Sequence, residues 1–166
     1  GKIDLMIGRI PSSKDMPGLA FEHLYDEPIE LVARAGHPAL GLDPAQMLSE
    51  YPLILPNPGA IIRQSVDQYL SALGLSSLRP AFETVALPVA LTMLESSDML
   101  WFISRGVVER EVKNGSLVAL DMKADYMSGA VGLTRKTGFD QNNLTNLLAT
   151  LSHQRAAKNT APVSYT

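Results

Sequence analysis

An α/β fold with a mostly parallel sheet is what this 166-residue chain predicts. Three observations carry that expectation. Short apolar runs of strand length alternate with longer segments whose apolar residues recur at helical spacing. Proline and glycine punctuate the seams, with Pro44 and Pro88 near helix starts and Gly74 and Gly115 at helix ends. A hydrophobic content of 46% is enough for the core of one ordinary domain or of two small lobes. In sheets of this kind ligands bind at the carboxyl ends of strands, near a switch point in strand order.

The elements follow in order. In "GKIDLMIGRI", residues Ile3, Leu5, Met6, Ile7 and Ile10 form a near-continuous apolar run that reads as a fully buried strand. It stands at the first residue, with nothing ahead of it to supply a second neighbour. "IPSSKDMPG" is polar and turn-rich, and "FEHLYDEPIELVARA" then reads as one or two extended segments interrupted at Pro28 and stopped by Gly36, His37 and Pro38. "LDPAQMLSEYP" signals a helix with Asp43 as N-cap, Pro44 at the first helical position and Gln46 three residues after the cap. "YPLILP" is a short buried strand. It runs into the helix of "NPGAIIRQSVDQYLSALG", where Ile62, Val66, Tyr69, Leu70 and Leu73 share one face. The alternation repeats with "RPAFETVAL" as strand, "PVALTMLESSD" as helix, "MLWFIS" as strand and "RGVVEREVKNG" as helix. "SLVALDM" and "SGAVGLTRK" are two further strands. In "DQNNLTNLLATLSHQR", Leu144, Leu147, Leu148 and Leu151 mark an amphipathic helix, and the aperiodic "AAKNTAPVSYT" is expected to fray. No internal repeat or low-complexity segment is present.

Several function classes are disfavoured. No apolar run approaches the roughly 20 residues a membrane helix needs, and the opening residues lack the pattern of an export leader. Absence of cysteine removes disulfide and thiolate chemistry and is compatible with a cytoplasmic location. A net charge of -3, with 14 basic residues scattered among 17 acids, argues against direct nucleic-acid binding. His23, His37 and His153 are far apart, so no metal ligand set is expected. Nor does a nucleophile elbow, a phosphate-binding loop or a dinucleotide fingerprint occur, so neither a cofactor nor catalysis is expected.

Three places can carry binding chemistry. Asn57, Pro58, Gly59 and Ala60 lie between the end of a strand and the start of a helix, where unpaired N–H groups and the helix dipole favour an anion. A plain strand-to-helix turn would look the same. Trp101, the single tryptophan, sits in an apolar strand and reads either as a site aromatic or as core. Arg9 directly follows an apolar strand and reads either as a cleft arginine for a carboxylate or as an ordinary surface residue.

The order of segments resembles the effector-binding region of LysR-type bacterial transcription regulators. "GKIDLMIGR", "PIELVARAGHPAL", "YPLILPNPGAIIRQSVDQYL" and "MLESSDMLWFISRGVVEREVKNGSLVAL" carry the resemblance, over about Ile3 to His153. "FEHLYDEPIELVARAGHP" is most similar to the branch regulating aromatic-acid (protocatechuate) and sugar catabolism. Ser97 and Met99 stand where family glycines are frequent, and Ser104 where its proline often is. The resemblance implies a two-lobed, periplasmic-binding-protein-like (type 2), Rossmann-like fold with its first lobe incomplete. Residues 1–28 and 131–155 would form that partial lobe, 29–130 the second lobe, and 156–166 a flexible tail. Carried over by residue, Arg9 matches a cleft-edge arginine of the first lobe. Asn57, Pro58, Gly59, Ala60, Ile61 and Ile62 match a helix start facing the effector, and Met99 and Trp101 a strand lining the same lobe. The Leu144 helix would pack on the first lobe.

What the family likeness implies is a non-enzymatic sensor that binds a small organic acid or sugar-like catabolite between two lobes. It would be part of a cytoplasmic homodimer or homotetramer that meets DNA only through an N-terminal helix-turn-helix absent from this stretch, and would have no membrane partner. A periplasmic solute-binding protein shares the architecture and is the alternative. An enzyme on a similar two-lobed fold is the third class.

Overall fold

The computed structural model describes residues 5–10, 16–138, 146 and 148–154. In chain order its elements are β1 (Leu5–Arg9), β2 (Leu19–Arg34), α1 (Pro44–Glu50), β3 (Leu53–Leu55), α2 (Ile61–Ala72), β4 (Phe82–Glu83), α3 (Leu87–Glu95), β5 (Leu100–Ser104), α4 (Arg105–Lys113), β6 (Leu117–Leu120) and β7 (Ser128–Lys136). The chain divides into two compact units, one of Gly1–Glu27 with Gly129–Thr166 and one of Pro28–Ser128. β2 contributes its first half to one unit and its second half to the other.

In the Pro28–Ser128 unit, β3 lies parallel to both β4 and β5, with Ile54 opposite Phe82 and Trp101. The second half of β2 runs antiparallel to β5, Ile29 facing Ser104, and antiparallel to β6, Leu31 facing Leu120. The sheet is therefore mixed, not mostly parallel as the alternation suggested. Parallel pairs arise where a helix carries the chain back between strands, as in the run from β3 to β5. β2 runs in the opposite sense to β5 and β6.

Local signals account for most of the elements. Asp43 caps α1 through Ala45 N at 3.0 Å, and Pro44 occupies the first helical turn, where a missing N–H costs nothing. Gln46 does not reach back to complete a capping box; it donates forward to Glu50 at 2.9 Å. On α2, Ile62, Val66, Tyr69 and Leu70 are buried as their spacing predicts, with Leu73 packed partly against them. Gly74 and Gly115 follow α2 and α4 with φ of 75° and 78°, a backbone conformation that costs glycine least. β4 keeps only two residues of "RPAFETVAL", because Thr84 turns the chain by accepting a hydrogen bond from Ala86 N at 3.0 Å. The core is sheet-centred: Trp101, Phe102, Leu31, Ile54 and Leu100 are closed to solvent.

In the other unit, β1 pairs antiparallel with β7 from Leu5 opposite Arg135 to Arg9 opposite Val131, and β7 also neighbours β2. Gly132 permits that approach, since a Cβ there would strike the Glu22 carbonyl oxygen. β1 is not the fully buried strand its composition suggested, since Met6 is 39% and Ile7 57% exposed. Among the described residues β7 is its one strand neighbour, so one side of the apolar run stays uncovered. Pro28 does not interrupt β2, which runs unbroken for 16 residues. Ile3, Leu144, Leu147 and 156–166 lie outside the described residues. Residues 148–154 are helical, with Leu148 and Leu151 exposed and His153 meeting Glu22 of β2 at 2.6 Å.

Candidate functional site

Parallel pairing gives the Pro28–Ser128 unit its main chemical feature. β3, β4 and β5 point the same way, so the helices that follow them, α2, α3 and α4, all begin at one edge of the sheet. Their N-cap residues are Ala60 for α2, Ala86 for α3 and Ser104 for α4, and none makes a side-chain cap hydrogen bond. α1, which begins elsewhere, is capped by Asp43. Three helix starts with positive dipole ends thus share the carboxyl edge.

Asn57, Pro58 and Gly59 are exposed on this edge, Ala60 is half-buried, Ile61 is 53% exposed, and Ile62 turns into the core. The turn is closed by Ala60 N donating to Asn57 O at 2.8 Å. Exposed Val85 and Val89 add apolar surface at the start of α3. Beside the start of α4 lies a concavity of about 370 Å³ whose lining includes Glu30, Arg105, Met122 and Lys123. Arg105 Nε is 2.6 Å from Glu30 Oε1, and Lys123 is paired with Asp121.

The loop is held by a residue that sequence reasoning missed. Arg63, 16% exposed at its side chain, donates to the Pro56 carbonyl at 2.8 Å, to Glu83 Oε1 at 2.6 Å and to Asp67 Oδ1 at 2.8 Å. Burial alone lowers the pKa of its guanidinium, but the hydrogen bonds to Asp67 and Glu83 outweigh that and leave it above the ordinary arginine value. The i, i+4 spacing of Arg63 and Asp67 was visible in the sequence. The reach to Glu83 was not, because it depends on β3 and β4 being neighbours.

The expected site residues do not all converge. Trp101 is closed to solvent, and its indole N–H donates to the Thr84 carbonyl at 3.1 Å, so it braces the β4–α3 turn from within the core. Met99 precedes β5, next to Leu100, whose N–H bonds the Pro52 carbonyl. It therefore lies at the amino ends of the strands, opposite the edge that bears Asn57 to Ile62, and packs partly buried against the core. Arg9 belongs to the other unit, and its fork is turned onto its own chain. It donates to the Glu27 carbonyl at 3.0 Å and the Gly129 carbonyl at 3.4 Å, and pairs with the Glu27 carboxylate at 3.6 Å. Burial lowers its pKa, opposed by the charges of Glu27 and Tyr25.

Among the described residues no group of three or more His, Asp or Glu is placed to hold a metal, and no helix is long and apolar enough to cross a membrane. The family model for the LysR substrate binding domain matches residues 1–157. The chain belongs to this family. LysR-type likeness extends to individual proteins. The HTH-type transcriptional regulator PcaQ of Agrobacterium fabrum (strain C58 / ATCC 33970) is 41% identical over 136 residues, covering 81% of this chain and 44% of that protein. GalR of Pseudomonas putida is 29% identical over 139 residues, covering 83% and 35%. The chain thus spans less than half the length of these curated relatives. Among solved structures, the Synechocystis PCC6803 CcmR regulatory domain in complex with 2-PG superposes with a TM-score of 0.78 at 18% identity, covering 95% of this chain and 74% of that one. The regulatory domain of CrgA, a LysR-type regulator from Neisseria meningitidis, gives 0.70 at 13% identity, covering 93% and 76%. The fold is therefore the type 2 periplasmic-binding-protein-like fold of LysR substrate-binding domains, and the relatives are transcriptional regulators by name.

Proposed function

We propose that this chain is the effector-sensing part of a LysR-type transcriptional regulator, in which a small organic acid or sugar-like catabolite binds at the carboxyl edge of the Pro28–Ser128 unit. The observation that carries this reading is the start of α2 on that edge, where Ala60 makes no side-chain cap hydrogen bond and Asn57, Pro58, Gly59 and Ile61 are exposed. Such an edge offers N–H donors and positive dipole ends to an anionic group. On this reading the chain has no catalytic role, and residues 1–28 and 131–155 form part of a first lobe whose remainder lies elsewhere in the protein. DNA is held by a separate helix-turn-helix in a cytoplasmic homodimer or homotetramer. The ligand prefers one conformation of the sensor and so biases how the DNA-binding heads are held. Trp101 supports this edge from within the core in this reading and does not touch the effector.

The test uses the full-length regulator with a panel of carboxylic acids and their neutral amide analogues, read by calorimetry and by footprinting on its own promoter. One or more acids are expected to bind and alter the footprint while their amides do not. Ile61→Glu places a carboxylate at the first position of α2, on a side chain already 53% exposed. It is expected to stabilise the helix by about 0.3–1 kcal/mol through the dipole. An anionic effector should bind about tenfold more weakly, a loss of about 1.4 kcal/mol. An unchanged affinity would remove the start of α2 from the site, and no ligand-dependent footprint across the panel would overturn the reading.

A further inference from the structure

Arg63 stands at the third position of α2, in the first turn, where the positive end of the helix dipole disfavours a cation. Its charge is nevertheless held there by carboxylates. Asp67 Oδ1 accepts from its Nε at 2.8 Å, and Glu83 Oε1 from its Nη1 at 2.6 Å. The two partners are not equivalent. Asp67 lies four residues along the same helix and is 54% exposed, whereas Glu83 comes from β4 and is 35% exposed. The nitrogen that holds Glu83 also donates to the Pro56 carbonyl at 2.8 Å, directly before Asn57. Glu83 meets the turn a second time, its own carbonyl accepting from Asn57 Nδ2 at 3.4 Å. β4 runs parallel to β3 with Glu83 opposite Leu55, which brings this residue to the end of the strand that feeds the turn.

We infer that Glu83 sets the charge selectivity of the Asn57–Ile62 turn, by cancelling the charge of Arg63 and so limiting how much negative charge a ligand can bring. This rests on the reading that an organic acid binds at the start of α2, and adds to it the residue that grades acids by charge. Asp67 and Glu83 together outweigh the single guanidinium, so the three side chains are net negative. A ligand carboxylate is then drawn by N–H groups and the helix dipole, while a second carboxylate on the same ligand meets an opposing field. Glu83 acts through Arg63 and through that field, not by touching the ligand.

Two measurements on the full-length regulator test this role. The first needs no ligand: Ile61→Cys puts a thiol at the first position of α2, on a side chain already exposed, and its titration is read by thiolate absorbance as the difference from the same protein without it. Adding Glu83→Gln, which keeps an oxygen acceptor for Arg63 and removes the charge, should raise the thiolate share at fixed pH about threefold. Glu83→Asp, which keeps the charge and shortens the reach, should leave that share near the parent value. The second measurement is calorimetry with succinate, succinamate and succinamide, which are alike in length and fall in charge from dianion to monoanion to neutral. In Glu83→Gln the affinity ratio of succinate to succinamate should rise about threefold or more, with succinamide unchanged. A thiol that ignores Glu83→Gln, or that responds equally to Glu83→Asp, would overturn the role given to Glu83, and so would a ratio that stays at the parent value. Failure of all three compounds to bind, beside a thiol that does respond, would overturn the start of α2 as the effector site and support the field of Glu83 upon it.

Discussion

Tyr69 carries a pH dependence that can be worked from the structure. It is 3% exposed, lies on the buried face of α2, meets Phe102 edge-on with ring centres 6.1 Å apart, and donates its hydroxyl to the Met122 carbonyl at 2.8 Å. Burial disfavours the phenolate, and the charges of Tyr126, Asp43 and Asp121 add to it, so the phenol is pushed up to about 12 from an ordinary 10.0. A raised pKa in the folded state means that the neutral phenol is favoured there. Its contribution is therefore complete below the unfolded value and is lost as pH rises through the folded one. Two pKa units at about 1.4 kcal/mol each set an upper scale of about 2.7 kcal/mol lost between roughly pH 10 and pH 12. Tyr69→Phe removes the hydroxyl and leaves the Met122 carbonyl without that donor, costing about 1–2 kcal/mol near neutrality. The assay is urea unfolding from about pH 9 to pH 12, followed by the fluorescence of Trp101 and by far-ultraviolet circular dichroism. Other tyrosines and lysines titrate in both proteins, so the informative quantity is the difference between them. Wild type should lead at the low end and lose its lead as pH rises. Parallel profiles would refute the assignment of the shift to this phenol.

Further substitutions test the loop, the cap and the strand approach. Arg63→Met removes one weak exposed pair with Asp67 and two stronger contacts, to the Pro56 carbonyl and Glu83, and should cost about 1.5–3 kcal/mol in urea unfolding; a loss near zero would mean that the loop does not depend on it. Asp43→Ala should cost about 1 kcal/mol by uncapping α1, and Asp43→Asn should restore most of it. Gly132→Ala drives a methyl into the Glu22 carbonyl and the Phe21 ring, and should cost about 3 kcal/mol or more, read as faster backbone hydrogen exchange along β7.

Features decided within a few residues were legible in the sequence: the Asp43 cap, the buried face of α2, and the glycines that end α2 and α4. Features set by which strands become neighbours were harder to read. The apolar run of β1 specified a strand but not how many of its sides would be covered. Pro28 looked like an interruption because a proline inside a paired strand lacks its donor, yet β2 changes pairing partners there and Arg9 supplies donors to the adjacent carbonyls. Arg9 had been legible as a planar fork in search of acceptors, but the acceptors are carbonyls 18 and 120 residues away. Met99 is the instructive case, because the strand–helix alternation itself held the answer. Helical crossovers make β3 and β5 parallel, parallel strands put their carboxyl ends together, and a residue before one strand cannot share an edge with a loop after the other. The position on β5 equivalent to the Asn57 loop is therefore Ser104, the N-cap of α4, where the resembling family often has a proline. If this edge is where regulators of this family differ in ligand choice, the side chain at 104 is the place to alter selectivity without disturbing the core aromatic at 101.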